Sequence, residues 1–136
     1  MPDLFDWKPE YSVSVSTFDM QHKKLLQLAS NLHQTMREGR ARSVLSDLLS
    51  QLVTYTRTHF RAEEEILDGN RYPELQRHRE EHLALLVQVE NFQKEFAAGN
   101  AHISIELMEF LRNWIANHIL QTDSRYANYL NTRGVY

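Results

Sequence analysis

The side chains best suited to chemistry are seven histidines, in a chain of 136 residues that contains no cysteine. His78 and His82 stand four residues apart, and so do His59 and Glu63. On a helix that spacing projects both members of a pair from one face in adjacent turns. Imidazole nitrogen and carboxylate oxygen together are donors for first-row transition ions. Each piece also has an ordinary reading. A lone core-facing histidine, such as His22, is more often a hydrogen-bonded packing residue. A His pair at this spacing is as often chance as a metal site. Glu63, inside the run Glu63-Glu64-Glu65, would normally belong to a solvated face, and Glu64 and Glu65 are expected there.

The elements that must position these groups follow from periodicity. Residues 1–18 lack a helical pattern. With Pro9 and the alternating Val13 and Val15 they read as an extended N-terminal arm, anchored by Phe5, Trp7 and Tyr11. Asp19 reads as the N-cap of a first helix over about 19–38, with the stripe Leu25, Leu26, Ala29, Leu32 and Met36. Gly39 should stop it. A second helix over about 43–68 carries Leu45, Leu48, Leu49, Leu52, Thr56, His59, Glu63, Ile66 and Leu67 inward. The run DGNRYP ends it, since Gly69 and Asn70 tolerate left-handed backbone. Pro73 can open a third helix, 73–97, lined by Leu75, His78, His82, Leu85, Leu86, Val89, Phe92 and Phe96. A fourth, 103–122, carries Leu107, Met108, Leu111, Trp114, Ile115, His118 and Ile119, with a C-terminal tail beyond it. Four such helices on short connections predict a single all-α domain over 1–136, an up-down-up-down antiparallel four-helix bundle.

Composition agrees and narrows the partners. Four glycines and three prolines are too few for a many-turned β fold. A net charge of −3 gives no basic field for nucleic acid or an anionic membrane. The first residues, MPDLFDWKPE, have acids where a signal peptide needs basic residues, so none is expected, and no run is long enough for a membrane span. A monomeric cytoplasmic protein is the expectation.

Topology decides whether the donors meet. His22 starts helix one; His59 and Glu63 end helix two; His78 and His82 start helix three; His118 ends helix four. In an antiparallel bundle these four ends lie at one end of the molecule, so the donors converge at one level. Such a cluster without metal would be severely destabilising. His33 and His102 fall elsewhere and are assigned structural or solvent roles. Five imidazoles and a carboxylate exceed the four donors of a zinc site, and calcium or magnesium sites do not want imidazole. Two carboxylate-bridged transition ions fit, with iron favoured by bundle precedents. A second buried acid is then needed.

The motifs DMQH (Asp19 to His22), HFRAEE (His59 to Glu64), HREEH (His78 to His82) and HILQTD (His118 to Asp123) occur in this order. In them the chain resembles the hemerythrins over essentially its whole length, most closely their single-domain bacterial members. The resemblance supplies the missing acid, Asp123. It implies that His78, His82 and His118 hold one iron and that His22 and His59 hold the other. Glu63 and Asp123 would bridge the two, with an oxo or hydroxo group as third bridge. Five residues on a regular helix rotate a side chain by about 140°, so His118 and Asp123 share a site only if the turn widens. We therefore expect i→i+5 bonding between about residues 118 and 124. In the stretch SVSVSTFD, Ser and Phe replace the Gly and Ile frequent in relatives, which touches packing of the arm alone.

The resemblance also implies the function: reversible binding of dioxygen, for transport, storage or delivery, at the iron held by His22 and His59. It implies an iron pair that would cycle between Fe2+ and Fe3+, with dioxygen held end-on as hydroperoxide. Leu26, Trp114, Ile115 and Ile119 are the expected apolar surroundings of that position. Thr56 and Tyr126 are expected to orient ligands. The protein is expected not to be an enzyme, with an oxygen-consuming enzyme as recipient. The alternatives are an oxygen- or iron-sensing module and a di-iron oxidase, peroxidase or nitric-oxide-reducing enzyme.

Overall fold

Apolar side chains recurring every three or four residues turn one face of each helix inward, and the helices assemble along those faces. The computed structural model describes residues 5–39, 41–99 and 105–136. Its long helices are α1 (Ser16–Arg37), α2 (Arg42–Gly69), α3 (Leu75–Ala97) and α4 (Ile105–Asn117). α4 runs into a π-helical turn, His118–Asp123, and then into α5 (Ser124–Thr132). Asn117 and Ser124 both keep right-handed helical dihedrals, so α4, the π turn and α5 form one rod. The architecture is the expected antiparallel four-helix bundle, and no strand occurs among the described residues. None of the described helices is long and apolar enough to cross a membrane. His102 and the expected start of the fourth helix at 103 lie outside the described residues.

The core runs the length of the bundle through Leu25, Leu32, Leu49, Leu52, Leu67, Val89, Phe96, Met108 and Leu111, all buried. Ile66, expected inward, is instead 40% exposed. It follows Glu63 by three residues and falls off the edge of the stripe that Leu67 continues. Gly39 and Gly99 take the positive φ values (69° and 83°) that end α1 and α3.

The N-terminal arm departs from the expected extended chain. Pro9–Tyr11 form a 3-10 turn, while Phe5, Tyr11, Val13 and Val15 are buried against the bundle. Trp7 is half-buried, with the Lys23 ammonium 4.9 Å over its ring. The Phe5 ring meets His33 edge-on at 6.1 Å, which gives that histidine a packing role. Asp19 does not cap α1, which already begins at Ser16 after Val15. Its carboxylate accepts from the Ser12 hydroxyl (2.5 Å) and the Val13 amide (2.7 Å), pinning the arm. Asn131 of α5 adds a bond to the Ser14 carbonyl at 2.9 Å.

Two boundaries moved for identifiable reasons. Pro73 lies in a turn, and α3 opens at Leu75 after Glu74. The fourth rod does not stop at 122, because the π turn lets it continue to Thr132. The end of α2 is also informative. The Tyr72 amide bonds the Leu67 carbonyl (2.9 Å) and the Arg71 amide the Asp68 carbonyl (3.1 Å), a Schellman pattern. Its left-handed position is Arg71 (φ 56°), whereas Gly69 is still helical and Asn70 has φ −102°. The Tyr129 hydroxyl donates to the Asn70 and Arg71 carbonyls (2.6 and 2.8 Å), holding the turn from α5. A side chain in the left-handed region costs about 1 kcal/mol or more that glycine avoids. Arg71→Gly should therefore raise unfolding stability by about 1 kcal/mol in urea titration. An unchanged or lowered midpoint would contradict that reading of the turn.

Candidate metal centre

Each donor sits where its helix brings it to the shared end. His22 lies in the second turn of α1, and His59 and Glu63 lie in the last turns of α2. His78 and His82 occupy the first two turns of α3, and His118 and Asp123 bound the π turn. All seven are buried, and Glu63 and Asp123 have 0% exposure. The widened turn does what a regular one could not: Asp123 Oδ1 lies 3.0 Å from His118 Nε2 although the residues are five apart. The other Asp123 oxygen is 2.9 Å from His22 Nε2, and Oδ1 is also 3.2 Å from His78 Nε2. Glu63 Oε1 is 2.6 Å from His59 Nε2, 3.8 Å from His82 Nε2 and 4.0 Å from His22 Nε2; Oε2 is 3.8 Å from His78 Nε2.

Donor atoms fall into two groups, each within 4.8 Å: Glu63, His78, His82, His118 and Asp123, and His22, His59, Glu63 and Asp123. The two carboxylates belong to both. One group therefore has three imidazoles of its own and the other two. All seven residues singled out from sequence come together, though Asp123 required the family resemblance to be found.

Two of the histidines, His59 and His82, are oriented from behind by residues that periodicity did not mark. His59 Nδ1 is 2.6 Å from Gln21 Oε1, and His82 Nδ1 is 3.0 Å from Glu64 Oε2. An oxygen acceptor there keeps the proton on Nδ1 and leaves the Nε2 lone pair pointing inward, as a metal requires. Glu64 is thus not simply solvated: it spans His82 and Arg79, whose Nε is 3.3 Å away. Burial raises its pKa, opposed by Arg79. Adjacency was the available signal, since Gln21 precedes His22 and Glu64 follows Glu63. Thr56 plays no such part, because its hydroxyl donates to its own helix at Leu52 O (2.8 Å). Aromatic rings wall the site. Phe60 stacks on His82 at 3.8 Å, and Phe18 meets His59 and Tyr126 edge-on at 6.3 and 5.6 Å.

Burial raises the Glu63 pKa and the Asp123 charge adds to this, yet His59 and His78 outweigh both and hold it well below the usual carboxylate range. Asp123 is likewise held low by His118, His22 and His78 against its own burial. Burial lowers His78, but the Asp123 and Glu63 carboxylates beside it prevail and raise it to about 9. Burial dominates at His82 and drives it down to about 3. Tyr126 is fully buried, and desolvation with the Glu63 and Asp123 charges raises its phenol well above the ordinary value. The cluster thus stabilises two carboxylates and draws in positive charge.

The inward Nε2 atoms of His22, His59, His78, His82 and His118 and all four carboxylate oxygens are buried without a partner of hydrogen-bonding geometry among the described residues. Buried polar atoms normally have such partners. Lone pairs aimed at one another at 2.6–4.0 Å are the arrangement that metal cations resolve. Leu26, Trp114, Ile115 and Ile119 are all buried. Trp114 stands 6.2 Å from Phe60 and so borders the three-histidine group.

Fold and site together define an all-helical bundle with a metal-ligand cluster in its core. A model of the hemerythrin HHE cation-binding domain matches residues 13–130. A bacteriohemerythrin of Methylococcus capsulatus is 32% identical over 125 residues, covering 91% of this chain and 95% of the relative. One of Stenotrophomonas maltophilia is 29% identical, covering 92% and 80%. A crystal structure of wild-type hemerythrin superposes with a TM-score of 0.86 at 31% identity, covering 90% of this chain and 95% of that one. The chain belongs to the hemerythrin family.

Outer-shell acceptors typically carry a 10- to 100-fold share of metal affinity. Glu64→Ala should therefore lower metal affinity by about 10- to 100-fold in chelator competition, with Glu65→Ala, on an exposed neighbour, as unaffected control. Equal affinities in the two variants would show that the bond to His82 has no orienting role.

Proposed function

We propose that this chain holds two iron ions and binds dioxygen reversibly at one of them. The observation that carries the reading is the unequal sharing of donors: Glu63 and Asp123 belong to both groups, while three imidazoles serve one and two serve the other. His78, His82 and His118 with Glu63 and Asp123 would hold one ion through five protein donors. His22 and His59 with the same carboxylates would hold the other through four, and the missing donor is the position dioxygen would take. Iron, when bound there, supplies that open position and the electrons that dioxygen binding draws on.

The chain's own residues favour binding over further reduction. Five neutral imidazoles support high oxidation states less than the carboxylate-rich sets of oxygen-activating bundles do. Leu26, Ile115 and Ile119 add buried apolar surface. Beyond Glu63 and Asp123, no carboxylate-bearing residue is fully buried among the described residues. Tyr126, its pKa raised by burial and by the two bridging charges, keeps its proton. A site without an available acid does not push dioxygen toward reduction. On this reading the protein is a monomeric cytoplasmic carrier or store, not an enzyme, and hands dioxygen to an oxygen-consuming enzyme.

Optical spectra of the anaerobically reduced protein test this directly. Air should produce a visible charge-transfer band, and argon flushing should remove it over repeated cycles. A spectrum that does not change with air, or one that changes once and never reverts, would overturn reversible binding.

A further inference from the structure

The seam between α3 and α4 opens at the surface into a groove of about 430 Å3, within the range of small-molecule sites. Its walls are apolar, formed by Leu85, Trp114 and Phe110, the last 44% exposed. Three exposed amides, Gln88, Asn113 and Asn117, line it as well. Each offers both donors and an acceptor. The formal charge in the groove is Glu81, which Arg77 (3.5 Å) and Arg125 (3.4 Å) offset. The groove is therefore nearly neutral, aromatic on its walls and amide-bearing.

His118 lines this groove, and its Nε2 lies 3.0 Å from Asp123. Trp114 leads to Phe60 at 6.2 Å, and Phe60 stacks on His82 at 3.8 Å and stands 5.3 Å from His118. One imidazole thus separates an occupant of the groove from the donor cluster. Among the seven donor residues His118 is the most exposed, at 7%.

We propose that the groove binds a heteroaromatic redox ring, the isoalloxazine of a flavin, and that electrons pass from its dihydro form through His118 to the iron pair. The proposal rests on the iron assignment above. The ring's faces suit offset or edge contact with Trp114 and Phe110, and the alternating acceptors and donor of its imide edge suit the amides. Electrons balance: a two-electron-reduced flavin becomes oxidised, two ferric ions become ferrous, and the two protons released go to solvent at the open groove. Here the chain supplies binding and orientation, and the flavin supplies the redox chemistry. The step would return an oxidised iron pair to the ferrous state that binds dioxygen.

Riboflavin fluorescence and anaerobic stopped-flow reduction test this on the full-length protein. The wild type should quench riboflavin saturably, and its ferric form should be reduced by dihydroriboflavin at a rate that saturates. Ala84→Phe, at an exposed lining position, should fill the groove. It should weaken quenching at least tenfold and abolish saturation, while reduction by dithionite stays unchanged. Asn113→Ala, which leaves the groove open, should weaken quenching severalfold. Equal quenching by wild type and Ala84→Phe, or linear and identical reduction rates in both, would overturn the proposal. Quenching is read equally well on zinc-loaded protein, so failure of the iron assignment and failure of the groove are seen separately.

Discussion

Two carboxylates with no solvent exposure, Glu63 and Asp123, lie at the centre of five imidazoles inside a helical bundle. Each buried carboxylate costs several kcal/mol unless positive charge and hydrogen bonds compensate it. Histidine protons can do part of this, as the raised value of His78 shows. His82, pushed down to about 3 by burial, cannot contribute one at neutral pH. The arrangement becomes coherent when cations occupy the space to which the Nε2 lone pairs and carboxylate oxygens point. Much else in the fold follows from that requirement. The helix ends must meet at one level, one rod must widen its turn, and His59 and His82 take acceptors for their outward nitrogens.

The π turn shows how a functional demand overrides regular geometry. A plain α-helix would carry Asp123 about 140° away from His118. Widening over His118–Asp123 brings both to one site, and it also allows the rod to continue as α5 instead of ending. That continuation is used structurally, because Tyr129 clamps the end of α2 and Asn131 ties down the arm. The same fourth rod forms one wall of the groove beside His118, so the site, the arm and the open seam all depend on it.

Residues with strong periodicity were legible from the chain alone. His22, His59, Glu63, His78, His82 and His118 interrupt apolar stripes at helical spacing, and antiparallel topology places them together. Asp123 was not legible that way, since its five-residue offset makes sense only with the resemblance and a widened turn. Gln21 and Glu64 escaped because they stand beside the stripe, where a polar residue needs no explanation. Arg71 escaped for a different reason: local preference favours Gly69 or Asn70 for left-handed backbone, and the Schellman register overrode it. For Asp19, residue type and the following stripe together point to a helix cap. Val13 and Ser12, six and seven residues before it, instead recruit it for the arm, a partnership that composition does not reveal.

The central claim is that these seven side chains hold a pair of ions, not one. Metal content per chain after anaerobic reconstitution with ferrous iron tests it most directly. The account predicts two irons per chain, both lost together when Asp123→Asn or Glu63→Gln weakens the shared bridge. A single iron per chain, retained when either carboxylate is removed, would contradict it.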